Sequence, residues 1–326
     1  MKKKISIFLI ILSVLFILSA PHVPECFALD EPDIISDSAL LYCFDTDDYI
    51  CEKNIDEQAF PYSTTKIMTV YLAATMLDPD EVVTISVHVE NISRVRDYSV
   101  MGLIRGEEVT VRDLMYGTMM LSGNDSATAL GEYISGDEKA FGELMTETAK
   151  KMGCNNTNFT NPSGIRDGHH YTTARDLFII AQTAFENETV RTITGTKTYK
   201  AAATNKHEAR TFHNICDLIY ESAAHVICMK TGSWDIDSTA VFMFKQGEFT
   251  FLGTVMKSGE PDSLTDEHTL INYARKYANQ GWLIPKYGIT YKKAALTGCL
   301  AGAAILVIVL CAVTRGKRRK KTGVAS

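Results

Sequence analysis

From Ser63 to Met76 the chain runs fourteen residues without glycine or proline, and Ile67, Met68, Val70, Tyr71 and Leu72 make that stretch apolar on most sides. A helix that lacks a polar face has to be buried all round, so the segment predicts a central helix whose start, at Ser63, is buried with it. The rest of the chain must wrap around it. Upstream, residues 39–43 and 49–53, separated by Asp45-Thr46-Asp47-Asp48, read as a β-hairpin with a polar turn. Downstream, helical patterns cover 111–121, 126–134, 138–152 and 173–185, each ended by Gly, Ser or Asn. A short apolar segment over 226–229 reads as an edge strand, 240–244 and 249–256 as a second hairpin, and 266–279 as one more helix. Strands at both ends with helices between them predict an α/β protein of the α+β type, its sheet closed by the two ends of the body.

The termini carry a different signal. Lys2-Lys3-Lys4, an apolar run over 5–20 and a small-x-small site at Cys26-Phe27-Ala28 have the layout of a secretory signal, or of an anchor if left uncleaved. Residues 294–314 form a stretch of 21 without a charge, long enough to span a bilayer, and Arg315 to Lys321 holds six basic residues. Excess Lys and Arg stay on the cytoplasmic side. The expected arrangement is a signal peptide over 1–28, an extracytoplasmic domain over 29–285, a linker over 286–293, a single transmembrane helix over 294–314 and a basic cytoplasmic tail over 315–326. The net charge of −6 conceals this asymmetry, because residues 5–314 hold 24 basic against 39 acidic residues, a net of −15. An acidic body argues against a nucleic-acid partner.

Of eight cysteines, Cys26 falls in the signal and Cys299 and Cys311 in the membrane segment. The remaining five show no C-x-x-C spacing. Cys43 with Cys51, or Cys216 with Cys228, have the spacing to pair, and buried free thiols fit the same pattern.

Three short motifs carry chemistry. Ser63-Thr64-Thr65-Lys66 places a hydroxyl and an amine three apart on one face at the start of the buried helix. A serine hydroxyl is a weak nucleophile until a base takes its proton, and a desolvated lysine near another cation has a pKa lowered toward that task. The same four residues also fit a helix cap followed by a surface lysine. Ser122-Gly123-Asn124 separates two helical stretches, as an ordinary turn would, and Asn124 or Asp125 could serve as an N-cap. Lys230-Thr231-Gly232 ends the 226–229 segment, where an edge strand would present a cation and a hydroxyl to an anion; the tripeptide recurs at 321–323 in the basic tail.

Their order and separation, 59 residues from Ser63 to Ser122 and 108 from Ser122 to Lys230, decide what each alone cannot. In this order the motifs resemble those of the penicillin-binding protein and serine β-lactamase superfamily. Longer strings narrow the resemblance to the low-molecular-mass D-alanyl-D-alanine carboxypeptidases: Tyr62 to Thr69 (YSTTKIMT), Leu121 to Ala127 (LSGNDSA), Asn161-Pro162-Ser163-Gly164, and His170 to Leu177 (HYTTARDL). The resemblance covers about 39–283 and implies a β-lactamase/transpeptidase-like fold, an antiparallel sheet flanked by helices plus a helical lobe. It implies that Ser63 attacks the carbonyl between two D-alanines while Lys66 takes its proton. Ser122 would relay a proton to the leaving amine, and Asn124 would bind the substrate amide and orient Lys66. Lys230, Thr231 and Gly232 would hold the terminal carboxylate, with the backbone N–H groups of Ser63 and Ser233 as the oxyanion hole. Peptidoglycan pentapeptide stems are the implied substrate and β-lactam antibiotics the implied inhibitors. A β-rich second domain known in some members has no counterpart in the short linker.

The family usually has Thr at the second position after Lys-Thr-Gly and Ala-Gly a little beyond, whereas this chain reads Ser233-Trp234-Asp235-Ile236-Asp237-Ser238. The expectation is a bulky ring beside the carboxylate site, with substrate preference altered. His213-Asn214 stands where many relatives have Arg or Thr before Asn, so His213 is either an aid to anion binding or a solvated histidine. No H-E-x-x-H, phosphate loop or histidine spacing calls for a metal or cofactor. The competing functions are a β-lactamase, for which 154–162 lacks the acid that would activate a deacylating water, and a non-catalytic wall-binding or β-lactam-sensing protein. A transpeptidase shares the same nucleophile.

Overall fold

A sheet built from the two ends of the body organises the fold. In the computed structural model, which describes residues 29–259 and 264–280, the elements in chain order are β1 (Ser38–Cys43), β2 (Asp48–Lys53), α1 (Lys66–Met76), β3 (Val82–Thr84), α2 (Val87–Ser93), β4 (Glu108–Thr110), α3 (Val111–Met120), α4 (Asn124–Ser135), α5 (Glu138–Lys151), α6 (Ala174–Glu186), α7 (Glu188–Gly195), β5 (Thr198–Ala201), β6 (Arg210–His213), β7 (Val226–Trp234), β8 (Asp237–Gln246), β9 (Phe249–Met256) and α8 (Leu264–Gln280). The expected signal segment, the linker, the 294–314 span and the basic tail lie outside the described residues. Among the described residues no helix is long and apolar enough to cross a membrane.

Five strands form one antiparallel sheet in the order β2-β1-β9-β8-β7. The first strand of the body therefore pairs with the last, Leu40 opposite Thr254 and Tyr42 opposite Leu252. Helices cover both faces. Tyr42 meets Phe178 of α6 on one side, while Phe251, whose side chain points the other way from Leu252, meets Tyr277 of α8. Burial on both faces explains why β1 is apolar along nearly its whole length instead of alternating. The Asp266 carboxylate, in the first turn of α8, accepts from the Ile35 and Ser36 backbone at 2.9 and 2.7 Å and ties the chain's entry to its exit.

Helix α1 is buried at seven of eleven positions and packs against α3, α4, α6 and α7. Burying each large aliphatic side chain here contributes about 1.5–3 kcal/mol. The α-helix begins three residues later than its apolar pattern predicts, because Tyr62–Thr65 form a 3-10 turn in which Thr64 donates from both its hydroxyl and its amide to Pro61 O. Ser63 thus sits on a tight turn ahead of the helix. The other predicted helices appear within three residues of their expected bounds, α3, α5 and α6 being capped by Thr110, Asp137 and Thr173 side chains, while α2 and α7, the latter capped by Asn187, go unpredicted. The segment read as a short strand over 226–229 continues to Trp234, because β8 pairs with it through Ser233–Ser238 and Trp234–Asp237.

Cys43, Cys154, Cys216 and Cys228 are free thiols. Cys43 faces Asp48 across the hairpin and Cys51 faces Leu41, so neither is the other's cross-strand partner. Cys216 lies 3.6 Å from the Thr231 hydroxyl.

Candidate active site

Ser63 and Lys66 meet where the 3-10 turn gives way to α1. Lys66 is wholly buried, with Nζ 2.9 Å from Ser63 Oγ, 2.8 Å from Asn124 Oδ1 and 2.6 Å from the Ser163 carbonyl oxygen. Burial drives its pKa well below the ordinary lysine value, the charge of Lys230 pushes it further down, and Asp125 partly offsets both. A neutral amine has two N–H groups and one lone pair. Two of its neighbours are carbonyl oxygens that can only accept, so they fix both hydrogens. The lone pair is left for the Ser63 hydroxyl, the orientation a base needs.

The second wall is the turn between α3 and α4. Ser122 adopts a left-handed conformation (φ 55°) and is 3% exposed. A β-carbon on Gly123 would meet Ser126 Oγ at 2.4 Å and the Gly117 carbonyl at 3.1 Å, so only glycine lets the turn pass this close to its own helices. Gly123 caps α4, Asn124 is its first residue, and Asp125 does not serve as the cap. The fully buried Asp125 carboxylate instead accepts from the amides of Met101, Gly102 and Leu103 at 2.8–3.0 Å and from Ser126 N, while Asn124 N donates to Ser99 O. The 99–103 segment is thereby fastened to the residue next to Asn124.

The third wall is the Asn161–Gly164 loop. Asn161 Oδ1 accepts from Ser163 N, Gly164 N and Ile165 N, Thr69 Oγ1 donates to Pro162 O at 2.6 Å, and the loop presents the Ser163 carbonyl to Lys66. His170 braces it from behind. The amide of Thr160 donates to Nδ1 at 3.1 Å, which leaves the hydrogen on Nε2 to donate to Thr65 Oγ1 at 2.9 Å. Burial lowers the His170 pKa to about 4, so the ring stays neutral. These strings were legible as family signatures, yet nothing in their pattern assigns Ser163 O or His170 a task.

Strand β7 closes the site. Lys230 is wholly buried, its pKa lowered by burial. A β-carbon on Gly232 would lie 2.5 Å from Ser63 N, so the strand backbone runs directly against the Ser63 amide. Ser233 and Trp234 are exposed, Trp234 by 47%, and the ring stands three positions beyond Thr231. It stands at the rim of the site, beyond Ser233 from Thr231 along the strand. His213 is exposed at the end of β6, while Asn214 is buried and holds the Thr196 carbonyl and the Cys216 amide. Among the described residues no group of His, Cys, Asp or Glu side chains is placed to hold a metal ion.

Residues 25–243 match the family model for D-alanyl-D-alanine carboxypeptidase. The chain belongs to that family. It is 37% identical over 235 residues to a D-alanyl-D-alanine carboxypeptidase of Streptomyces sp. strain K15, an alignment covering 68% of this chain and 80% of that one. A D-alanyl-D-alanine carboxypeptidase of Bacillus subtilis strain 168 is 37% identical over 164 residues, covering 49% of this chain and 41% of its own length, so the chain spans only about two fifths of that relative. The crystal structure of the Streptomyces K15 DD-transpeptidase superposes with a TM-score of 0.70 at 31% identity, covering 76% of this chain and 99% of that one. The carboxypeptidase family's transpeptidase-like α+β fold, antiparallel sheet with helices, is the fold of this chain.

Proposed function

We propose that this member of the carboxypeptidase family is a serine-type D-alanyl-D-alanine carboxypeptidase that trims peptidoglycan pentapeptide stems through an acyl-enzyme at Ser63. The observation that carries the reading is the buried Lys66 amine 2.9 Å from Ser63 Oγ, with Asn124 Oδ1 at 2.8 Å and the Ser163 carbonyl oxygen at 2.6 Å placed to accept its hydrogens. Ser63 Oγ attacks the carbonyl carbon of the penultimate D-alanine as its proton passes to Lys66 Nζ. The oxyanion forms between the N–H groups of Ser63 and Ser233, a contribution of about 3 kcal/mol per donor. Collapse breaks the C–N bond and the leaving amine takes the proton from Lys66 through Ser122; water then loses a proton to Lys66 and adds to the ester carbonyl, and the adduct expels Ser63 Oγ, which takes that proton from Lys66. Lys230, Thr231 and Gly232 receive the terminal carboxylate, and Asn124 the substrate amide.

A β-lactam acylates the same serine. Lys66 is hydrogen-bonded to a carbonyl oxygen at Ser163 and to no carboxylate, and the oxygens of Asp125 are occupied by backbone amides, which supports slow release of the penicilloyl group over β-lactamase turnover. The apolar 294–314 run and its basic sequel support anchoring by a single membrane helix with the site outside the cell. Detergent-dependent extraction that is lost on deleting 294–326 tests the anchoring.

Transpeptidation is the second reading, favoured by the likeness to the K15 transpeptidase. Purified full-length protein and Ser63→Ala are incubated with a fluorescent penicillin and with diacetyl-L-Lys-D-Ala-D-Ala, with and without added glycine as acceptor. Label and released D-alanine that both vanish in Ser63→Ala, with no transfer to glycine, are the expected result. Label without release is the result that would leave a sensor, and transfer in place of hydrolysis a transpeptidase.

A further inference from the structure

Strand β7 is the edge of the sheet, yet little of that edge is open. At Ile227 it is covered by α7, since a β-carbon on Gly195 would meet the Ile227 carbonyl oxygen at 2.1 Å. Exposure begins in the second half of the strand, and Ser233 and Trp234 are its exposed residues. On the carboxypeptidase reading, on which this inference rests, the substrate carboxylate sits at Lys230 and Thr231 and the scissile carbonyl at Ser63 and Ser233. Those two anchors set the direction of the bound peptide: its acyl side leaves past Ser233 toward Trp234. One extended residue advances about 3.3 Å, which brings the residue preceding the two D-alanines to the β7–β8 turn.

At that turn Trp234 pairs across the strands with Asp237, about 5 Å away. The Asp237 carboxylate accepts from Tyr62 Oη at 3.2 Å, next to Ser63, and Asp235 at φ 56° tightens the turn. Ile236 beside them is 59% exposed. An aromatic face next to a carboxylate, with apolar surface around it, suits an ammonium carried on a methylene chain. The neighbouring cations make their direct contacts elsewhere, the Arg166 guanidinium over the Phe60 ring at 4.8 Å and Lys257 Nζ 2.7 Å from Asp37, although the Asp237 charge also acts on Lys257. We infer that Trp234 and Asp237 form an acyl-side subsite for the side-chain ammonium of a diamino acid preceding the D-alanyl-D-alanine pair. The departure from the family's threonine at Trp234 is thus a specificity determinant for the acyl half of the substrate.

The test compares kcat/KM for Nα-acetyl-L-Lys-D-Ala-D-Ala, its Nε-acetyl form and the norleucine analogue. The free amine is expected to be preferred about tenfold over both in the wild type. Because the preference is a ratio within one preparation, partial misfolding of a variant cancels. Trp234→Phe should keep the preference, whereas Trp234→Leu and Asp237→Asn should bring it within about twofold of unity. Equal kcat/KM for the three peptides in the wild type overturns the subsite, as does a preference that survives Trp234→Leu. Absence of Ser63-dependent penicillin labelling and of D-alanine release from all three would instead overturn the carboxypeptidase reading and the subsite with it.

Discussion

Gly232 and Ser63 are in backbone contact: a β-carbon on the glycine would stand 2.5 Å from the serine amide nitrogen, 3.0 Å from Thr64 N and 3.0 Å from Tyr62 Cβ. Two of those three atoms are backbone and cannot swing aside. Gly232→Ala must therefore push β7 away from the nucleophile and separate the amides of Ser63 and Ser233. Losing the alignment of one oxyanion donor costs about 100-fold or more. The acylation rate with a chromogenic β-lactam should fall by that much, with thermal unfolding still cooperative; a near-normal rate would place the oxyanion hole elsewhere.

In the proposed mechanism Lys66 is a base only when neutral, and burial with the nearby Lys230 charge lowers its pKa. The acylation rate should rise with pH through that lowered pKa and reach its plateau well below pH ~10.4, where a free lysine titrates. Lys66→Ala should lose about 10³-fold in acylation. A rate still climbing steeply at pH 10 would mean that the amine is charged in the folded protein.

His170 offers a pH dependence of stability with a definite sign. Its folded-state pKa is about 4 against 6.5 for the free ring, because burial disfavours the charged form. The unfolded chain takes up the proton first, so stability is full above about pH 6.5 and is lost as pH falls toward 4, by about 3 kcal/mol at most. Denaturant midpoints measured from pH 7 to 4 should show this slope, and His170→Gln should flatten it. An unchanged slope in the variant would assign the effect to another group.

Glu107, wholly buried, accepts from Arg210 Nη2 at 2.6 Å, from Thr204 Oγ1 at 3.0 Å and from Ile104 N at 3.2 Å, and Arg210 also donates to Met101 O at 3.4 Å. Met101 N is in turn held by Asp125, beside Asn124. Arg210→Met leaves the buried carboxylate without its guanidinium, with His207 Nδ1 beside it 3.1 Å away, and should destabilise the protein by about 3–5 kcal/mol. The double variant Glu107→Met/Arg210→Met should recover a large part of the loss in chemical denaturation. Equal destabilisation by the single and double variants would show that the packing of the 101–107 segment, and not its charge, is what matters.

What the sequence by itself determined is whatever depends on neighbours along the chain. The gap-free apolar run after Ser63 required a buried helix, alternating and apolar segments marked the long strands, and Gly, Ser or Asn marked where helical patterns end. Ser-x-x-Lys, Ser-x-Asn and Lys-Thr-Gly in order pointed to the carboxypeptidase family to which the chain belongs. The short strands β3 to β6 went unseen, since three or four residues carry too little periodicity to register. Only the tertiary structure decided that Ser163, 97 residues from Lys66, would offer its carbonyl oxygen to the amine, and that His170, 105 residues from Thr65, would brace the turn. The same holds for Gly232 against the Ser63 amide and for Trp234 at the rim. These contacts run through backbone atoms, identical at every residue, or depend on how far one strand runs beside another. Neither quantity is written in residue type; both come into being when the sheet and the helical lobe close on α1.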